Sequence, residues 1–174
     1  GAEGYDVHAL TQRPMAMYHS CVMHAFEDPD CPVNSQVVPF LDGWGRACDN
    51  LLFWHYDLNP RDYLYLAPNL RALGPQMRSF VRSKGQGIFL QGSARNTEFS
   101  DLRGYLTTSL IWDPSRDADE LIEDFLQHYY GKAVEPIRRW IDQGASEALV
   151  CADGKSAARA FQRPPSLPRN SITI

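Results

Sequence analysis

The seven residues from Leu51 to Asp57, LLFWHYD, decide the fold. The first six are continuously apolar or aromatic, a length that suits a strand and falls short of a helix. A strand without a polar face is one covered on both sides, which is the situation of strands in a parallel sheet. Upstream, Val37, Phe40, Leu41, Trp44 and Cys48 recur at three- and four-residue spacings. They predict a helix over 37–48 with one buried stripe, and Pro39 is tolerated in its first turn. Earlier still, the run from Pro14 to His24 (PMAMYHSCVMH) reads as a buried strand entering a loop, followed by the turn-rich EDPDCPVN of Glu27 to Asn34.

Downstream, Leu70, Leu73, Met77, Phe80 and Val81 make a second helical stripe between Pro68 and Lys84. Gly85 and Gly87 are expected to stop it, and GIFLQ, Gly87 to Gln91, to be a third strand. Strand, helix, strand, helix, strand with short connections is the pattern of βαβ units, hence of an α/β chain with a parallel sheet. Helices then take over. Leu102, Tyr105, Leu106 and Leu110 form a stripe ended by Asp113-Pro114, and Asp117 with Glu120 offers a capping box for a helix over 118–130. The acids at 117, 119, 120, 123 and 124 suit the positive end of that helix, and Gly131 its C-terminal cap. A last helix is expected over 134–149, anchored by Ile137, Trp140 and Ile141. After Asp153 the Pro-, Arg- and Ser-rich residues lack apolar periodicity and read as a flexible tail.

The 174 residues carry a formal charge of −4, with no Lys/Arg cluster interleaved with aromatics, so nucleic acid is not an expected partner. No apolar run is long enough to span a bilayer, and a soluble protein is expected. The glycine-rich GQGIFLQG, Gly85 to Gly92, lacks the Lys-Ser/Thr of a phosphate loop, so no cofactor is expected. Four cysteines without a CxxC spacing define neither a disulfide framework nor a compartment. His19, Cys21, His24 and Cys31 carry donor types suited to zinc, but HxCxxHx6C fits no common finger, and the expectation is that no metal is bound. A metal-dependent hydrolase using His19, His24 and Cys31 is the minor alternative, which elemental analysis would reveal.

Several stretches taken in order carry a family resemblance: CPVN at Cys31 to Asn34, Gly43-Trp44, LLFWHY followed by Asp57, GIFLQG at Gly87 to Gly92, LRGYL at Leu102 to Leu106, and above all LIWDPSRDADELIEDFLQHYYGKA at Leu110 to Ala133. Over about Pro14 to Gln143 the chain resembles domain-of-unknown-function family 4838 (DUF4838). This is a bacterial group that includes glycoside hydrolases similar to family 163 endo-β-N-acetylglucosaminidases. The resemblance implies the last three βα units of a TIM-type (β/α)8 barrel over 1–112, a helical extension over 113–152 and a tail over 153–174. A complete barrel takes ~250 residues, so the main catalytic carboxylates are expected upstream of this fragment. A periplasmic or secreted location, a glycan substrate, and either association with the missing barrel half or self-association are implied with it.

Barrel sites are built at the C-terminal ends of the strands. That position nominates His19 and His24 after the first strand, Trp54, Tyr56 and Asp57 after the second, and Gln91 after the third as substrate-binding residues. An aromatic face packs on the apolar face of a pyranose and a carboxylate accepts hydroxyl hydrogen bonds. Alternation puts Trp54 and Tyr56 on one face and His55 and Asp57 on the other. Trp54 and Tyr56 are thus expected inward, with Asp57 turned into the site by the loop that begins at Leu58. Both aromatics would serve equally well as plain core, and Glu98 reads as a cap for the following helix. The rival to a glycoside hydrolase-like protein is a non-catalytic carbohydrate-binding or structural module.

Overall fold

A computed structural model describes residues 15–17, 20–57, 67–92 and 97–148. Three parallel strands, β1 (Met15–Ala16), β2 (Leu51–Tyr56) and β3 (Gly85–Gln91), lie in the order β1-β2-β3. Met15 pairs with Phe53, and Phe53 with Ile88, through to Tyr56 with Gln91. The connections are helical: α1 (Val37–Ala47) precedes β2 and α2 (Leu70–Arg82) precedes β3. Then follow α3 (Ser100–Trp112), α4 (Ala118–Tyr129) and α5 (Val134–Ala148). The chain is therefore α/β, as the alternation of periods predicts, and β2 has the predicted bounds. No helix among the described residues is long and apolar enough to cross a membrane. The stretch read as a tail, 153–174, lies outside the described residues.

Among the described residues the first strand spans Met15–Ala16, and from Ser20 the chain forms a loop in which the Cys21 and Ala25 carbonyls are bonded by the Asn34 side chain. One local expectation is corrected. At the end of α2 it is Lys84, at φ 63°, that takes the left-handed conformation, while Gly85 and Gly87 lie within β3. Gly85 answers to packing: a Cβ there would stand 2.8 Å from both the Phe53 ring and the Phe80 carbonyl. The Asp117 cap forms as expected, its carboxylate accepting from the Asp119 and Glu120 amides. Gly131 takes a positive φ of 52° just after α4.

One face of the sheet carries the core. Leu51, Phe53 and His55 of β2 are buried, and Phe53 stacks on Phe80 of α2 with ring centroids 4.3 Å apart. Leu73, Leu102, Leu106, Leu110, Leu121 and Leu126 extend that core through α2, α3 and α4. On the opposite face Leu52 is 40% and Phe89 56% exposed. Among the described residues β1 and β3 each pair only with β2, so both edges of the sheet are open. Beside β1, a groove of about 220 Å³ is lined by residues that include Ala16, Met17, Val37 and Phe40.

Candidate binding face at the strand ends

Alternation along β2 and the parallel register with β3 set side chains from adjacent strands next to one another on the open face. Trp54 pairs with Phe89 and Tyr56 with Gln91. The Trp54 indole Nε1 donates to the Gln91 Oε1 at 2.9 Å, and its ring meets Phe89 edge-on at 5.0 Å between centroids. Trp54 is half-buried, Tyr56 buried, and Gln91 and Phe89 exposed. The result is an aromatic step with one amide at its rim, at the C-terminal ends of two parallel strands. Of the sequence-nominated residues, Trp54, Tyr56 and Gln91 come together here, and Phe89 joins them unforeseen. Its signal was available, since residue 89 shares a strand face with Gln91.

Asp57 is placed differently. It is wholly buried, on the His55 side of the alternation, and its carboxylate lies against Gly92: a Cβ built there would be 1.3 Å from the Asp57 Oδ1. The loop expected to turn it, from Leu58 onward, lies outside the described residues, as does His19. His24 is buried on the loop after β1, where its carbonyl accepts from Gln76 Nε2 at 2.7 Å and from Asn34 Nδ2 at 3.3 Å.

Two buried polar residues organise these loops, and neither was nominated from sequence. The first is Gln76 of α2, whose amide nitrogen bonds the Val22 and His24 carbonyls, leaving its oxygen 2.9 Å from His55 Nε2. Since that oxygen can only accept, His55 carries its proton on Nε2. Burial among Phe26, Phe80 and the sheet pushes the His55 imidazole down to about 4, the Gln76 bond opposing, so the ring is neutral near neutral pH.

The second is Arg103 of α3, which is completely buried. Its Nε and Nη2 donate to the two Glu98 oxygens at 3.0 and 2.6 Å. Its Nη1 donates to the Asp57 carbonyl at 2.8 Å and to Asn69 Oδ1 at 2.6 Å, and Nη2 also reaches the Ala67 carbonyl. Glu98 Oε1 accepts in addition from the Ala67 amide at 2.9 Å. Glu98 therefore does not cap α3, as was expected of it. The N-cap is Phe99, without a side-chain cap bond, because the Glu98 carboxylate is taken up by Arg103. The cue in the sequence is Arg103 itself, which sits in line with Leu106 and Leu110 on a buried helix face where no cation belongs unless partnered.

The described residues thus form an α/β chain with a parallel sheet, helices over one face and an aromatic, polar-rimmed surface at its strand ends. The chain belongs to the family described as domain of unknown function (DUF4838), which matches residues 19–142. No curated protein and no solved structure matches it.

Proposed function

We propose that this chain supplies part of the glycan-binding wall of a glycoside hydrolase-like protein, as the C-terminal βα units of a (β/α) barrel. The observation that carries the reading is the Trp54, Phe89 and Gln91 cluster. An exposed aromatic edge beside a hydrogen-bonding amide suits a pyranose, which offers an apolar face and a ring of hydroxyls. Consecutive parallel strands in sequential order, with Leu52 and Phe89 exposed on the face away from the helices and, among the described residues, no further strand at either edge, are what a segment of barrel wall would present. Of the two acids that follow the strand ends, Glu98 has its carboxylate taken up by Arg103 and the Ala67 amide, and Asp57 has its carboxylate wholly buried against Gly92, which favours binding over proton transfer as this segment's contribution.

The test is Trp54→Ala in the full-length protein, with affinity measured for glycans selected on an array. A stacking tryptophan should cost about 1–3 kcal/mol of binding with an unchanged melting temperature. Lost stability with intact affinity would reduce Trp54 to a core residue and remove the proposal.

A further inference from the structure

The loop between β1 and α1 brings together three side chains that lie outside the Trp54, Phe89 and Gln91 cluster. The ligand atoms of Cys21, His24 and Cys31 all lie within 4.8 Å of one another, with Cys21 Sγ 3.3 Å from His24 Nδ1. We propose that these three residues form a site for a thiophilic divalent cation, zinc by its donor set, that clasps the β1 to α1 loop. In a tetrahedral site with bonds of ~2.3 Å to sulfur and ~2.0 Å to nitrogen, neighbouring donors stand roughly 3.5–3.8 Å apart. The observed cluster, from 3.3 Å between Cys21 Sγ and His24 Nδ1 up to a 4.8 Å limit, brackets that spacing.

The loop is held in this shape by residues other than the donors. Asn34, wholly buried, accepts from the Cys21 amide at 2.8 Å and donates to the carbonyls of Cys21 at 3.0 Å and Ala25 at 3.1 Å. Gln76 ties the His24 carbonyl to α2 from the other side. Both chain segments bearing donors are thus fixed to one another through backbone groups, which leaves the thiols and the imidazole to converge. Cys31 and His24 are buried, 1% and 7% exposed, while Cys21 is half-buried and marks the side from which an ion and a fourth ligand would enter. Two thiolates and an imidazole make a soft donor set that favours zinc over calcium or magnesium. The irregular spacing that argued against a metal in the sequence is overcome by the turns at 22–30, which fold the nine residues between Cys21 and Cys31 back on themselves.

The experiment uses the 174-residue chain, purified under reductant, equilibrated with zinc chloride, freed of excess by gel filtration and assayed by atomic emission. About one zinc per chain is expected, together with a thiolate-to-cobalt charge-transfer band when cobalt is substituted. A chelator should lower the melting temperature of the native chain and zinc should restore it. Cys21→Ser, at the most accessible donor, should lose the metal and the chelator response while keeping the native circular dichroism spectrum, with Cys31→Ser as a second variant. Zinc retention unchanged in both variants would overturn the proposal. So would a metal-free native chain with its thiols reduced, or a Cys21 to Cys31 disulfide that persists in the presence of zinc.

Discussion

Arg103 and Glu98 form an ion pair at 2.6 Å in which the guanidinium is completely buried and the carboxylate is 12% exposed. The five N–H groups of Arg103 are matched by five acceptor contacts drawn from Asp57, Ala67, Asn69 and Glu98. One side chain thus joins the chain leaving β2, the chain leaving β3 and helix α3. Asp57, Ala67, Asn69 and Glu98, which flank the candidate binding face, are tied together by a buried charge.

Arg103→Met should destabilise the chain by about 3–5 kcal/mol, because it leaves the Glu98 charge and three backbone or amide acceptors without their donor in a buried setting. Glu98→Gln, which keeps an acceptor for Ala67 and Arg103, should cost less. Thermal denaturation of the two variants checks the order, and an Arg103→Met chain that melts with the native protein would show the network to be dispensable.

Gly92 is fixed by Asp57 and not by its own backbone. Gly92→Ala should cost about 1–3 kcal/mol through overpacking, since its methyl group would overlap the buried Asp57 carboxylate. Combining it with Asp57→Gly should recover part of the loss, giving a coupling energy in a double-mutant cycle. Strict additivity of the two changes would contradict the close approach.

The neutral His55 predicts a pH dependence with a definite sign. Its imidazole is depressed from 6.5 to about 4 in the fold, so below pH 6.5 the unfolded chain takes up a proton that the native chain does not. Stability is fully present above about 6.5 and falls as the pH drops from there toward 4. A gap of that size corresponds to at most about 3 kcal/mol. Urea midpoints measured across this range should decline already between pH 6.5 and 5, above the range where ordinary carboxylates titrate. A midpoint that stays level to pH 5 would mean that His55 is protonated without penalty in the fold.

The sheet edges, unpaired among the described residues, and the exposed Leu52 and Phe89 predict that the 174-residue chain associates with itself or with another barrel segment. Light scattering should report species larger than one chain, together with uptake of an apolar dye. A dye-silent monomer with a cooperative melt would contradict both this and the barrel-wall reading.

The order of strands and helices, and most of their bounds, were legible in the linear chain. LLFWHY has the continuous apolar character of a two-sided strand, the stripes of α2 and α4 have helical period, and Asp117 caps through its own local geometry. These are properties of residues a few positions apart, and a linear text records them. Which polar residues matter was decided only by tertiary structure. Glu98 reads as a cap until Arg103 approaches it from the helix beyond, and Asp57 reads as a rim carboxylate until Gly92, just past the end of β3, makes room for it inside. Cys21, His24 and Cys31 likewise fit no linear metal motif, and they converge because Asn34 and Gln76 hold the intervening loop from two sides. A partner's distance in space, not in sequence, sets whether a buried charge or thiol is tolerated, and that distance exists only once the chain has folded.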